Sequence, residues 1–326
     1  MCYALVNNHS LIEGKMGKKT NDPAEYIEPL HINGMAGRVM HAPGPTGSKK
    51  EILLVYGHHS NLERWWGLVE NLRDIGSVTM PDLPGFGGMD SFYSIGESAT
   101  IDNYADYLAA YIKMRYNRKK VSIVGISFGF LVVTRMLQRN PELTKKIEYL
   151  VSAVGFMHHD EFLFNPRRLQ MYRNLATVFS VPPLPKLFRY VGLNKYMLRA
   201  VYARTHNAKH KFKLAGDDKT TFDRMMDMEI ELWQSNDVRT YLVTSKQLLT
   251  IDNTKIKIDL PVWHVFTPKD NYFDNEVVEQ HMRVVFSDFI PAQIVSAAHA
   301  PSVIADKAEA SILIPRKLRT ALKKDI

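Results

Sequence analysis

The chain has 326 residues, of which 45% are hydrophobic, 10% aromatic and 23% charged. This composition is typical of a folded globular protein and excludes an intrinsically disordered chain. The net charge is +8, but the basic residues are dispersed and no nucleic-acid recognition motif accompanies them, so we predict no nucleic-acid partner. The single cysteine, Cys2, cannot form an internal disulfide, which fits a reducing compartment.

The first part of the chain predicts a leader followed by a hairpin. Residues 1–22 are polar and lack the apolar run of a secretory signal, so we expect a flexible leader on a cytoplasmic protein. No stretch approaches the roughly 20 apolar residues that span a bilayer. Asn33-Gly34 suits the left-handed angles of a tight turn, which predicts a hairpin with strands at residues 26–32 and 38–41.

Beyond residue 50, strands and helices are predicted to alternate. Apolar runs predict strands at residues 52–56, 77–80, 121–124, 149–154, 262–266 and 292–295. Apolar residues at helical spacing lie between several of them, and Thr100 is a candidate cap for one such helix. This pattern indicates an α/β fold with a mostly parallel, twisted sheet and helices on both faces.

One long stretch interrupts the alternation. Residues 157–255 are rich in Met, Tyr, Phe and Arg and have helical patterning. We therefore predict a helical cap inserted at 157–255 into a core formed by residues 23–156 and 256–326.

The segment Gly125-Ile126-Ser127-Phe128-Gly129 carries the clearest chemical signal. It follows a predicted buried strand and precedes a helix, the setting in which a Gly-x-Ser-x-Gly turn exposes a nucleophilic serine. The glycines are needed because a side chain at either position would collide with neighbouring backbone. The helix that begins at Phe128 offers an amide and a positive dipole end, both suited to an oxyanion.

These residues, with others in the same chain order, resemble the α/β-hydrolase superfamily. Tyr56-Gly57-His58 is similar to the family's His-Gly-x loop, which implies that the backbone amides of His58 and Phe128 form an oxyanion hole. Pro81-Asp82-Leu83-Pro84-Gly85-Phe86-Gly87 is similar to the family's Asp-x-x-Gly-x-Gly turn. The chain departs from the family pattern at Tyr56, where a histidine is usual.

The resemblance also implies a catalytic triad in the order nucleophile, acid, histidine. Ser127 matches the nucleophile, Asp270 follows a predicted strand and matches the acid, and His299 follows the last strand and matches the base. Ala298 replaces the glycine that frequently precedes this histidine. Other residues compete for the same roles: Asp274 and Asp252 for the acid, and His264, expected in the core, and His281, expected to be exposed, for the base.

Several histidines invite a metal interpretation. The candidates are His58–His59, His158–His159, and the pair His206 and His210. None of these pairs is accompanied by carboxylate or thiolate ligands at the defined spacing that metal sites need. We therefore predict neither a metal nor a cofactor. We instead consider His59, Ser60 and His158 as residues that line a substrate pocket near the oxyanion loop.

The resemblance implies a serine hydrolase that cleaves a carboxylic ester, lipid-like or otherwise apolar, through an acyl-enzyme. An acyltransferase or a C–C bond hydrolase would use the same three residues, and a non-catalytic ligand-binding protein of the same fold is a further alternative. The C-terminal stripe Ile314, Leu318 and Leu322 is flanked by basic residues. Packing on the sheet is favoured for this stripe, while peripheral membrane contact and the oligomeric state stay open.

Overall fold

The computed structural model describes residues 22–204, 219–295, 299 and 305–324. The predicted leader, apart from Asp22, lies outside the described residues, as do His206, His210 and Ala298. None of the helices in the described ranges combines the length and apolar character needed to cross a bilayer.

An eight-stranded sheet forms the centre of the molecule, in the order β1-β2-β4-β3-β5-β6-β7-β8. The strands are β1 (Ile27–Ile32), β2 (Met35–Ala42), β3 (Glu51–Val55), β4 (Ser77–Pro81), β5 (Val121–Ile126), β6 (Ile147–Ala153), β7 (Ile258–Phe266) and β8 (Phe286–Gln293). The pairs β1–β2 and β2–β4 are antiparallel and all other neighbours are parallel, which confirms the predicted sheet. The predicted hairpin turn is confirmed as well, with φ of 52° at Asn33 and 81° at Gly34.

The helices follow the strands in the predicted alternation. They are α1 (Trp66–Leu72), α2 (Ile101–Arg115), α3 (Phe128–Arg139), α4 (Pro166–Phe179), α5 (Leu184–Gly192), α6 (Lys195–Arg204), α7 (Lys219–Ser235), α8 (Val238–Leu248), α9 (Asn275–Val285), α10 (Lys307–Ala310) and α11 (Arg316–Lys323). Thr100 caps α2 as predicted, since its side chain accepts a hydrogen bond from the amide of Asn103. Leu318 and Leu322 of α11 are buried, so the C-terminal stripe packs inward.

Helices α4 to α8 lie between β6 and β7, where the sequence predicts the cap. The junction of α7 and α8 is tied to the loop after β4 by two hydrogen bonds. The amide of Asp237 donates to the carbonyl of Gly85 over 2.8 Å, and the amide of Gly87 donates to the side chain of Asn236 over 2.8 Å. The inserted helices therefore contact the carboxyl edge of the sheet.

The last strand differs from its prediction. β8 spans Phe286–Gln293, so it begins six residues before the predicted strand at 292–295 and excludes Ile294 and Val295. The strand prediction did not extend to residues 286–291 because Asp288 and Pro291 are both unfavourable in a central strand. β8 is an edge strand that pairs with β7 alone, and an edge tolerates both residues.

Candidate active site

Ser127 occupies a strained turn between β5 and α3. Its φ of 48° and ψ of −113° are unusual for a residue with a side chain and cost on the order of 1–3 kcal/mol. A Cβ at Gly125 would lie 2.6 Å from the Cα of Phe130, and one at Gly129 would lie 2.6 Å from the carbonyl oxygen of Tyr56. The two glycines thus let α3 approach β5 and β3 closely enough to hold the serine in this turn.

The structure brings Ser127, Asp270 and His299 together from three distant parts of the chain. The Nδ1 atom of His299 lies 2.6 Å from Oδ2 of Asp270, and its Nε2 atom lies 3.3 Å from Oγ of Ser127. The Asp270 side chain is only 3% exposed and that of His299 is 13% exposed. An Nδ1–H donated to Asp270 leaves the lone pair of Nε2 facing the serine hydroxyl, which is the tautomer that can accept its proton.

Backbone amides and aromatic rings hold this pair in position. The other carboxylate oxygen of Asp270, Oδ1, accepts hydrogen bonds from the amides of Tyr272 at 2.8 Å and Phe273 at 3.2 Å. The rings of the same two residues pack against the imidazole of His299, with centroids 5.1 and 5.3 Å away. The turn after β7 therefore fixes both the carboxylate and the imidazole.

The competing acids have other partners. Asp274 caps α9, where its side chain accepts from the amides of Glu276 and Val277. Asp252 accepts hydrogen bonds from the amide and the hydroxyl of Thr254.

The competing histidines are also engaged elsewhere. His264 is buried in β7 as expected, with Nδ1 2.9 Å from Oγ of Ser152. His281 is not exposed, contrary to the sequence prediction. It is half-buried, and its Nδ1 lies 2.7 Å from Oε1 of the buried Glu161, a partner 120 residues earlier that helical spacing cannot reveal.

The loop after β3 lies beside the serine. A Cβ added at Gly57 would lie 3.6 Å from the Cβ of Ser127, so the next amide, that of His58, is close to the nucleophile. Within the described residues, neither this amide nor that of Phe128 donates to a backbone carbonyl. Both amides can therefore serve an oxyanion that forms at a substrate carbon attached to Ser127.

The side chain of His58 is partly buried against the inserted helices. Burial lowers the pKa of His58 to about 3, so its ring is neutral at physiological pH. Its Nε2 lies 2.7 Å from Oγ1 of Thr244, whose hydroxyl donates to the carbonyl of Thr240 over 2.7 Å. Because that hydroxyl hydrogen is used, Nε2–H of His58 is the donor to Thr244.

Tyr56, the departure from the family pattern, braces the turn that follows β4. Its hydroxyl donates to Oδ1 of the buried Asp82 over 3.0 Å and accepts from the amide of Leu83 over 2.7 Å. Arg38 pairs with the other oxygen of Asp82 over 2.9 Å. The tyrosine thus links the end of β3 to the Asp-x-x-Gly-x-Gly turn.

The three predicted pocket residues differ in their surroundings. His59 contacts the inserted helices, since its Nδ1 accepts from the side chain of Asn236 at 3.0 Å and its ring lies 4.1 Å from that of Trp233. Ser60 is fully buried and its Oγ accepts from Nε1 of Trp65 at 2.8 Å. His158 packs against the rings of His159 and His281, and its described contacts include none of Ser127, Asp270 and His299.

Sequence patterns did not predict most of the aromatic residues around the site. Trp233 and Tyr241 from α7 and α8 pack on His59, and Tyr272 and Phe273 pack on His299. The position of Tyr272 and Phe273 directly after Asp270 is the one signal that could have identified them.

One group of side chains could offer ligands to a metal ion. His158, His159 and Asp160 each bring a ligand atom within 4.8 Å of the others. Nδ1 of His158 already accepts from the amide of Asp160 at 3.1 Å, and Nδ1 of His159 lies 3.0 Å from the carbonyl of Ile251. The predicted absence of a metal stays a prediction.

Comparison with known families agrees with this geometry. A family model described as the alpha/beta hydrolase fold matches residues 50–243, more than half of the chain. The chain belongs to the α/β-hydrolase fold family. No curated protein matches this α/β-hydrolase chain by sequence.

Solved structures share the α/β-hydrolase fold at low sequence identity. An esterase from Thermogutta terrifontis is 16% identical with a TM-score of 0.58, over 91% of this chain and 95% of the esterase. A putative aryl esterase from Burkholderia cenocepacia is 16% identical with a TM-score of 0.61, over 91% and 96%. An enol-lactonase from Burkholderia xenovorans is 13% identical with a TM-score of 0.58, over 91% and 96%. At these identities the likeness establishes the fold alone.

Proposed function

We propose that the protein is a serine hydrolase that cleaves a carboxylic ester through an acyl-enzyme. The observation that carries the proposal is the relay from Asp270 through His299 to Ser127, with the serine held in a strained turn. A serine hydroxyl is a poor nucleophile unless a base removes its proton as it attacks, and this relay supplies that base.

In the acylation step, Oγ of Ser127 attacks the ester carbonyl while Nε2 of His299 takes the hydroxyl proton. The 3.3 Å separation of these atoms suits a free enzyme, since catalytic hydrogen bonds often shorten when substrate binds. Asp270 holds the tautomer and stabilises the imidazolium that forms. The amides of His58 and Phe128 stabilise the tetrahedral oxyanion, and one such donor lowers the barrier by roughly 3–4 kcal/mol.

The second half of the reaction reverses these proton transfers. The imidazolium of His299 gives its proton to the departing alcohol, which leaves the acyl group on Ser127. Water then attacks the acyl carbon as neutral His299 removes its proton. Collapse of the second oxyanion returns the proton to Ser127 and releases the acid.

The surroundings of the site support an apolar, lipid-like acyl group. Tyr272 and Phe273 flank His299, while Trp233 and Tyr241 cover the loop that contains His58 and His59. These rings offer apolar area with few charges. The three fold relatives described above, two esterases and an enol-lactonase, are named for ester or lactone chemistry, which agrees with a carboxylic-ester substrate.

We further propose that residues 157–255 form the cap of this site. The contacts of Asn236, Asp237 and Thr244 with the loops after β3 and β4 support a covering role. His59 is a candidate substrate contact because it lies between the oxyanion loop and these helices.

A fluorophosphonate probe tests the proposal, because it reacts covalently with activated serines. We expect the wild type to be labelled and to hydrolyse a series of p-nitrophenyl esters, and Ser127→Ala and His299→Ala to lose both properties. Ser152→Ala is the matched control, since Ser152 also contacts a histidine, His264, but in the core. Circular dichroism establishes that each variant is folded. Labelling that persists in folded Ser127→Ala, or a wild type inert to probe and esters, would contradict the proposal.

A further inference from the structure

The first three inserted helices, α4 to α6, are strongly basic. Residues 162–204, which include α4, α5 and α6, contain eight arginines and lysines and neither aspartate nor glutamate. The positive charge, which was predicted to be dispersed, is therefore concentrated in this segment. Arg189 donates to the carbonyl of Asn236, and Arg199 pairs with Asp227, so these two are partly satisfied within the protein. Within the described ranges, five others make no ion pair: Arg167, Arg168, Arg173, Lys186 and Lys195.

The same helices expose large apolar side chains. Six of the most exposed are Leu175 at 47%, Val178 at 55%, Leu187 at 57%, Tyr190 at 79%, Val191 at 61% and Tyr196 at 74%. We call the side of α4–α6 that carries them the outer cap face. On α4, Arg168, Leu175 and Val178 follow helical spacing and lie in one stripe.

The opposite sides of these helices are already packed. Leu193 and Leu198 form a small core with Val238 of α8, and α4 packs against α8 as well. Phe179 of α4 contacts Phe188 of α5 with ring centroids 5.4 Å apart. The exposed apolar residues are therefore not needed for internal packing of the described helices. Exposed apolar surface of this extent is typical of an interaction site.

A row of aromatic rings connects this face to the proposed active site. The ring of Tyr272, which contacts that of His299 at 5.1 Å, lies 6.4 Å from the ring of Phe164, and Phe164 lies 6.0 Å from Tyr172 in the middle of α4. Tyr172 is 42% exposed. The face thus begins near the rings that flank the candidate base.

We propose that the outer cap face docks on the surface of an anionic lipid bilayer. The arginines and lysines of residues 162–204, a segment without acidic residues, match anionic headgroups, and Leu, Val and Tyr between them can enter the headgroup boundary. A nucleic acid would satisfy the charge but would leave the aliphatic side chains exposed. The docking proposal is independent of the proposed chemistry. Delivery of an ester from the bilayer to Ser127 would be the consequence of docking, and this consequence rests on the proposed function.

Vesicle flotation tests the docking. The full chain with Ser127→Ala is mixed with vesicles of phosphatidylcholine alone and with vesicles that also contain phosphatidylglycerol, so that lipid hydrolysis cannot alter the result. We expect flotation with the anionic vesicles, little with the neutral ones, and weaker binding as salt is raised.

Two sets of substitutions identify the face. Arg167→Gln, Arg168→Gln, Lys186→Gln and Lys195→Gln together are expected to weaken binding at least about tenfold. Leu187→Ser, Tyr190→Ser and Val191→Ser, all on exposed residues, are expected to weaken it without unfolding the protein. The matched control removes four charges from loops that enter β3, β5 and β6 at the opposite sheet edge: Lys49→Gln, Arg118→Gln, Lys120→Gln and Lys145→Gln.

The outcomes separate docking from its rivals and from the catalytic proposal. Equal binding by the charge variant and the wild type would overturn the proposal, as would an equal loss in the control. Absence of flotation with anionic vesicles would also overturn the docking proposal. Binding of duplex DNA, or a dimer that the serine substitutions dissociate, would then identify the alternative partner of this face. Flotation without ester hydrolysis by the wild type would contradict the proposed function and leave the docking intact.

Discussion

His58 and Thr244 are hydrogen-bonded over 2.7 Å although 186 residues separate them in the chain. His58 lies in the loop that carries a proposed oxyanion amide, and Thr244 lies in α8, the last of the inserted helices. Because burial keeps the ring of His58 neutral, one ring hydrogen remains on Nε2, and Thr244 accepts it. This single bond therefore couples the position of the oxyanion loop to the position of the inserted helices.

Thr244→Val should lower activity by loosening that coupling. Valine retains the shape of threonine but leaves Nε2–H of His58 unsatisfied, at a cost of about 1–3 kcal/mol in the free energy of unfolding. We expect a lower kcat for ester hydrolysis with a smaller change in KM, since the loop serves the transition state. Thr240→Val is the control, because its buried hydroxyl has no hydrogen-bond partner among the described residues. A larger kcat loss in Thr240→Val than in Thr244→Val would disprove the coupling.

Asp270→Asn should greatly reduce turnover while the fold is retained. The amide oxygen can still accept from the backbone of Tyr272 and Phe273, but the negative charge beside His299 is lost. In serine hydrolases, the equivalent change lowers kcat by about 10⁴. Asp274→Asn is the control, because asparagine is also a good helix cap, and it should keep near wild-type kcat. Comparable kcat losses in both variants would speak against Asp270 as the orienting acid.

Tyr56→Phe should destabilise the protein by about 1–3 kcal/mol, because it removes a buried donor to Asp82 and a buried acceptor from Leu83. Urea unfolding followed by circular dichroism measures the loss. Tyr190→Phe, at a position that is 79% exposed, should have no measurable effect. An unchanged midpoint in Tyr56→Phe would show that the hydroxyl does not brace the turn.

The pair His281 and Glu161 should make stability depend on pH. The hydrogen bond that His281 donates to the buried Glu161 raises the pKa of His281, with Asp160 and Asp252 adding to the effect. Because the pKa of His281 is higher in the folded state, its contribution to the free energy of unfolding is complete at pH values below its pKa in the unfolded chain. That contribution is lost as the pH rises through the pKa of the folded state.

The comparison with His281→Gln isolates this contribution. His158, which faces His281, has a pKa lowered by burial, so its effect on the pH dependence of stability is opposite to that of His281. Because His158 is present in both proteins, its effect is common to them. The free energy of unfolding of the wild type should be higher than that of His281→Gln, and this difference should be larger at about pH 5.5 than at about pH 8.5. A difference that is constant across this range, or that grows with pH, would refute the assignment.

The sequence was sufficient to predict the parts of the site that depend on local geometry. Gly125, Ser127 and Gly129 form a turn that few other residue combinations permit, and continuous apolar runs mark strands covered on both faces. Asp270 and His299 were instead implied by the family resemblance, and both follow strands whose carboxyl ends meet at one edge of the sheet. The strand prediction from apolar runs was wrong at β8, where an edge position tolerates polar residues and a proline that a local pattern excludes.

The amino-acid sequence by itself determined the fold class, the nucleophilic turn and the order of the three candidate catalytic residues, since each rests on short-range backbone constraints or on motif order. Only the tertiary structure decided which side chains surround them: Thr244 contacts His58, Glu161 contacts His281, and Tyr272 contacts His299. These contacts join residues far apart in the chain, and the packing of whole helices sets their distances, so no local periodicity encodes them.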